Sequence, residues 1–293
     1  MYQYNVCPVC KSTDFETVLQ AKDHTVSGET FSICHCRNCS HRFTNPVPDQ
    51  EHIGPYYQSE DYISHSNTSK GLINWLYQKV RKRTLRQKQK LVQTITNRTQ
   101  GEILDVGAGT GAFLGTMFQS GWTATGIEPD AGAREVAASL WDLDLQKPEV
   151  FYELPQQKFD VVTMWHVLEH VHDLDGYAEK IKSVLKASGK WVVAVPNYTS
   201  YDAEKYGAGW AAYDVPRHLY HFSPASMKAL LERHGFKLMG VKQMPFDSFY
   251  VSMLSERYRG GNLVRAFWNG FCSYLAASRD PHRCSSLIYL IEK

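Results

Sequence analysis

Three groups of residues have types and spacings that could do chemistry. Four cysteines stand as Cys7-Pro-Val-Cys10 and Cys36-Arg-Asn-Cys39. A glycine run, Gly107-Ala108-Gly109-Thr-Gly111, closes the apolar stretch Ile103-Leu-Asp105-Val. Farther on, His166-Val-Leu-Glu169-His170 spells H-x-x-E-H, a zinc-hydrolase signature in which two imidazoles and a carboxylate serve one metal. Five positions with two wildcards recur by chance, so the surroundings of this last motif have to decide it.

The paired knuckles are the most specific of the three. Each Cys-x-x-Cys turn lets two thiolates approach one tetrahedral Zn(II) from the same side, and the strand-like, turn-rich segment between them has the spacing of a zinc ribbon. Cys7, Cys10, Cys36 and Cys39 are the expected ligands, with Cys34 or His35 as substitutes offered by the run CHCRNC. Four thiolates leave no open position on the metal, so such a site stabilises a lobe and does not catalyse. Residues 1–45 form this expected ribbon; Cys272 and Cys284 read as plain thiols.

At 293 residues, with 43% hydrophobic and 13% aromatic content, the chain can bury a sizeable core. A net charge of +2 compels neither a nucleic-acid nor a membrane partner. The charge is unevenly spread, however. From Tyr62 to Gly101 there is no acidic residue, and residues 70–98 read as one long or two short basic amphipathic helices with Leu72, Leu76, Val80, Leu91 and Ile95 on the apolar side. A solvated cationic face accounts for this; an anionic substrate, an acidic membrane surface or RNA are the sharper readings. The N-terminus lacks the pattern of a secretory signal and no apolar window reaches a membrane span, so the expected address is the cytoplasm.

Beyond residue 100, short apolar runs (EILDVGAG, WTATGIEP, FDVVTMWH, WVVAVPN) alternate with helix-compatible stretches, the pattern of a parallel sheet covered on both faces. FKLMGVKQ and SSLIYLIEK add two strands near the end. The glycine run then joins a strand to a helix, where the backbone must turn tightly and approach a ligand. Gly107, Gly109 and Ala112 also satisfy the dinucleotide pattern, so a nicotinamide cofactor stays open at this point. Asp105, two positions before the first glycine, suits a ligand with a cationic amine. Glu128, at the end of the next strand, can accept from both hydroxyls of a ribose.

In order and spacing, ILDVGAGTG, GIEPD, KFDVVTMWHVLEHVHD and LKASGKWVVAVPN resemble the successive motifs of class I S-adenosylmethionine-dependent methyltransferases, over roughly residues 100–293. The ribbon is similar to the zinc-binding lobe of some bacterial small-molecule methyltransferases, including deoxysugar C-methyltransferases, and the core resembles the ubiquinone-pathway O-methyltransferases. The resemblance implies a Rossmann-like α/β fold: a mostly parallel seven-stranded sheet, its last strand antiparallel, with helices on both faces. It implies an S-adenosyl-L-methionine site formed by Asp105, Gly107, Ala108, Gly109, Gly111, Phe113, Glu128, Pro129, Trp165 and His166. FDVVTM is then a buried strand ending on Met164 or Trp165, and HVLEHV is a loop entering a helical turn, not the continuous helix a zincin needs.

Methyl transfer to an O, N or C nucleophile requires alignment and, for an un-ionised acceptor, a base. His170 is implied on the substrate side, and His218 and His221 are further candidates. They lie in an insertion, residues 197–222, that reads as a substrate lid in which Trp210 and Tyr213 pack around the acceptor and Arg217 grips a carboxylate or phosphate. The aromatic segment 246–281 fits a helical cover over the acceptor, a dimer contact or a peripheral membrane contact. The expected acceptor is a sugar, nucleotide-linked sugar or lipid-like metabolite, bound by a monomer or homodimer. An RNA methyltransferase, using the ribbon and the basic helix, and a non-catalytic cofactor-binding module are the alternatives.

Overall fold

The computed structural model of the chain describes residues 1–58 and 72–293. In its first long helix the side chains are described from residue 82 onward, so the expected apolar positions Leu72, Leu76 and Val80, and residues 70 and 71 of the basic segment, lie outside the described side chains. The N-terminal third contributes β1 (Phe15–Lys22), β2 (Thr30–Cys36), β3 (Arg42–Thr44) and α1 (Leu72–Thr96). There follow β4 (Glu102–Val106), α2 (Ala112–Gln119), β5 (Thr123–Ile127), α3 (Ala131–Trp141), β6 (Phe159–Trp165), α4 (Leu174–Val184) and β7 (Leu185–Pro196). The remainder holds α5 (Tyr201–Tyr206), β8 (Tyr220–His221), α6 (Pro224–Arg233), β9 (Lys237–Gln243), α7 (Asp247–Tyr258), α8 (Leu263–Arg279) and β10 (Ser286–Glu292).

The strands form two sheets, β1-β2-β3-β8 and β5-β4-β6-β7-β10-β9. In the larger one, β4 runs parallel to both neighbours, with Asp105 opposite Gly126 on one side and Thr163 on the other. Parallel pairs need crossovers, and α2 supplies the one from β4 to β5. β6 is buried at every position but its last, as a strand covered on both faces must be. Among the described residues this sheet has six strands where seven were expected. Beside β5 a single parallel bridge joins Ile127 to Gln146, whose backbone donates to Gly126 and accepts from Glu128. Pro148, which has no N–H to donate, follows two residues later and starts a 3-10 turn, so pairing ends there.

The chain divides into two compact units. One comprises residues within 1–65, 168–174 and 194–289; the other, residues within 66–167, 175–193 and 290–293. The expected boundary at residue 45 is not where this division falls, because β8, from the segment read as a lid, pairs with β3 of the ribbon: Phe43 faces Tyr220 and Arg42 faces His221. Phe31 and Ile33 of the ribbon are buried together with Tyr206, Trp210, Tyr213 and Val215. A ribbon this small cannot bury enough apolar surface alone, and these aromatics complete its core. In the same unit α6 starts where Ser223 caps it, with Ser226 closing the reciprocal box and Pro224 in the first turn.

Candidate active site

The glycine loop belongs to the second unit. Gly107, Gly109 and Gly111 have φ of 73°, 54° and 74°, in the left-handed region that side chains disfavour. A Cβ on Gly107 would stand 2.4 Å from Val167, so this position excludes any larger residue. Gly109 has nothing within 4 Å of where its Cβ would be, leaving open space over the loop. The backbone amides of Gly107 and Ala108 both bond to the carbonyl of Ile127, tying the loop to the end of β5. Phe113 is buried in the first turn of α2.

Two carboxylates flank this loop. Glu128 is 7% exposed; one of its oxygens accepts from the Gly109 amide at 2.7 Å and the other from the Asp130 amide at 2.9 Å. Each oxygen keeps a second lone pair for a ligand hydroxyl. Burial raises its pKa, against the pull of those two amides. Asp105 is 1% exposed and accepts from the Thr163 hydroxyl at 2.5 Å, and burial pushes its carboxyl up to about 7. A buried carboxylate of this kind gains from a cationic ligand beside it. Pro129, expected beside Glu128, is exposed and its carbonyl accepts from Arg134 at 2.8 Å.

At the end of β6, Trp165 stands edge-on to Phe113 at 5.3 Å between ring centroids. Its indole N–H is buried without an acceptor among the described residues. His166 follows at φ 58°, a left-handed conformation that a residue with a side chain adopts only under constraint. Lys88 of α1 places its ammonium 4.0 Å above the Trp165 ring, and its charge favours the ionised form of Asp105. Sequence reasoning missed Lys88. It is one cation among many in a basic helix, and only packing singles it out. These residues fit S-adenosylmethionine: an open glycine cradle, a fixed carboxylate for ribose hydroxyls and a second carboxylate that favours a cation.

In the other unit, Glu169, His170 and His218 bring ligand-type atoms within 4.8 Å of one another, a geometry that can hold a cation or pass a proton. His166 is not in this group. His170 Nδ1 lies 3.0 Å from the Arg217 carbonyl and 3.1 Å from the Tyr57 hydroxyl. His218 Nδ1 lies 2.9 Å from the Ala212 carbonyl. A carbonyl only accepts, so each Nδ1 carries a hydrogen. Burial and the neighbouring His218 push His170 down to about 4, which leaves it neutral near pH 7.

Four expectations for the 197–222 segment are corrected. Arg217 is 1% exposed and its guanidinium is held by Asp214 at 2.6 and 3.1 Å, Asp23 at 3.0 Å, the Thr25 hydroxyl at 2.9 Å and the Tyr56 carbonyl at 2.8 Å. Buried against two carboxylates, it clamps the fold. Trp210 is 2% exposed, with its indole N–H on Asp202 at 2.8 Å. Tyr213, equally buried, accepts from Arg42 at 2.8 Å. His221 is 3% exposed in β8, with Nε2 3.1 Å from the Thr44 hydroxyl. Aromatic density in this segment fills a core.

The four knuckle cysteines converge as expected. Cys7 and Cys39 sulfurs are 3.6 Å apart, Cys10 and Cys36 sulfurs 3.5 Å, and all four lie within 4.8 Å of one another. Both knuckles close alike: Lys11 (φ 63°) donates to the Cys7 carbonyl and Ser40 (φ 58°) to the Cys36 carbonyl, each at 2.9 Å. Cys34 lies outside the group, 3.7 Å from the Thr17 hydroxyl.

A family model described as "Methyltransferase domain" matches residues 76–240, more than half of the chain. The chain belongs to the S-adenosylmethionine-dependent methyltransferases. Among curated relatives, this methyltransferase is 26% identical over 168 residues to a ubiquinone biosynthesis O-methyltransferase of Rhodopseudomonas palustris (strain HaA2), a match covering 54% of this chain and 64% of that one. It is 29% identical over 149 residues to one of Brucella anthropi, covering 47% and 60%. The methyltransferase thus spans less than two-thirds of the length of these relatives. Its fold is shared with 1,6-didemethyltoxoflavin-N1-methyltransferase of Burkholderia thailandensis, solved with 1,6-didemethyltoxoflavin and S-adenosylhomocysteine, at a TM-score of 0.52 and 14% identity over 88% of this chain and 98% of that one.

Proposed function

We propose that this methyltransferase transfers a methyl group from S-adenosylmethionine to a hydroxyl of a small-molecule acceptor by in-line displacement. The observation that carries this reading is the pair of buried carboxylates, Asp105 and Glu128, at the ends of adjacent parallel strands beside an open glycine loop. The cofactor, when bound, supplies a methyl group on a cationic sulfur that is already an active electrophile. The chain's own residues do the rest. Glu128 accepts the ribose hydroxyls. Asp105 and the Lys88 ammonium hold the charged amine and carboxylate of the methionine end, and Trp165 walls that end from water. By the family resemblance His170 is the candidate base for the acceptor proton, with His218 and Glu169 offering atoms within 4.8 Å.

The names of the curated relatives favour oxygen as the nucleophile. The acceptor class remains that of the sequence reading: a sugar, nucleotide-linked sugar or lipid-like metabolite met in the cytoplasm. In the ribbon, Cys7, Cys10, Cys36 and Cys39 hold one structural zinc. Their closest sulfur pairs stand near the roughly 3.8 Å that a tetrahedron with ~2.3 Å Zn–S bonds requires. The first test is calorimetric titration with S-adenosylhomocysteine, with NADH as the control ligand. Micromolar binding lost on Glu128→Ala supports the reading, and preference for NADH sinks it.

A further inference from the structure

The hairpin of α7 and α8 is built inside out. On α8 the buried positions are small: Ala266, Gly270, Ser273 and Ala277, recurring every three or four residues along one face. The rest of its surface carries Val264, Phe267 and Trp268, with Leu263 in the first turn; Leu263, Val264, Phe267 and Trp268 are 73%, 80%, 68% and 62% exposed. It continues through Phe271, Tyr274 and Leu275, each about two-fifths exposed. α7 buries Ser248, Ser252 and Ser255 along with Val251, and exposes Tyr250 and Met253. The helices meet through the small residues. A Cβ on Gly270 would stand 3.0 Å from the Phe249 Cα, and the Ser248 hydroxyl donates to the Gly270 carbonyl at 3.3 Å.

A helix pair designed for water turns its large apolar side chains inward, because burying them removes the most apolar area from solvent. Packing on small residues with large apolar groups outward suits hydrocarbon. The charge on this face also selects a partner. From Asn262 to Arg279 there is no Asp or Glu, while Arg265 and Arg279 are exposed. Glu256, the acid in the last turn of α7, is 8% exposed and bonded to Asn269 at 2.9 Å. A second copy would meet these arginines with its own, whereas anionic headgroups would pair with them.

We propose that α7 and α8 are a docking face for an anionic lipid surface, with α8 lying in the plane of the headgroups. At ~1.5 Å per residue its 17 residues reach about 25 Å, and no helix among the described residues is long and apolar enough to cross a membrane. Trp268, Phe267 and Leu263 enter the acyl boundary, and Arg265 and Arg279 pair with phosphates.

The test is co-sedimentation of the full chain with vesicles of phosphatidylcholine alone and of phosphatidylcholine mixed with phosphatidylglycerol, at low and high salt. The expected result is salt-sensitive binding to the anionic vesicles, weakened about tenfold or more by Phe267→Ser with Trp268→Ser. Arg265→Glu with Arg279→Glu removes the preference for anionic lipid. Thermal melting and S-adenosylhomocysteine affinity stay unchanged in both variants, which separates this proposal from the methyltransferase reading. It is overturned by absence of binding, by equal binding to neutral vesicles, or by a stable dimer in solution that the Phe267 and Trp268 changes dissociate.

Discussion

The imidazoles of His170 and His218 stand edge to face, with centroids 4.6 Å apart and planes at 79°. Each is pinned through Nδ1 to a backbone carbonyl, so both ring orientations are fixed. The arrangement predicts a proton acceptor whose removal leaves the fold intact. His170→Asn keeps a donor for the Arg217 carbonyl and deletes Nε2. It is expected to lower kcat by about 10²–10⁴-fold while S-adenosylhomocysteine affinity is retained, as read by steady-state kinetics and calorimetry. An unchanged kcat would mean that the acceptor arrives already ionised.

Asp105 predicts a pH dependence of cofactor affinity. Its carboxyl, pushed up to about 7 by burial, is largely protonated below that pH and charged above it. A cationic ligand favours the charged form, so binding releases a proton on the acid side. Affinity for S-adenosylmethionine should therefore rise as pH increases through about 7, by up to ~10-fold per unit on the acid side, and then level off. Titrations at pH 6 and pH 8 check this, and Asp105→Asn should flatten the profile.

Arg217 predicts a stability loss without a direct effect on chemistry. Its guanidinium lies between Asp23 and Asp214, whose removal from water is tolerable only while the cation is there. Arg217→Met leaves two carboxylates without their counter-ion and is expected to cost ~3–5 kcal/mol in urea unfolding. The same cluster has an acid limit. Burial favours the neutral acid at Asp23, but bonds from Ser27 and Arg217 outweigh it and hold the pKa at about 2, below the ordinary 3.8. The stability this contributes is present above pH 3.8 and is lost as pH falls toward 2.

The cysteine group predicts one zinc per chain, measurable by atomic absorption or by release to a chromogenic chelator after thiol modification. Cys10→Ser should lower both zinc content and melting temperature. Cys34→Ser should leave zinc content unchanged, since Cys34 lies outside the group. Equal loss in the two variants would show that Cys34 takes a ligand position.

Local features of this protein were decided by the sequence itself. The knuckle spacing, the glycine loop and the largely apolar runs of β4 and β6 are short-range patterns, and each is sufficient for a turn or a buried parallel strand. Asp105 and Glu128 could be found because they sit at strand ends next to that loop. The role of the 197–222 segment was decided only in three dimensions. Trp210, Tyr213 and Arg217 have the composition of a binding surface, but they are buried because the small ribbon needs their area to complete its core and because Asp23, 194 residues away in sequence, supplies the anion for Arg217. Lys88 was hidden for the same reason. A helix phase states which residues share a face, but only packing states which of them meets Trp165. Long-range partners are set by the closure of the chain on itself, and no spacing along the sequence encodes them.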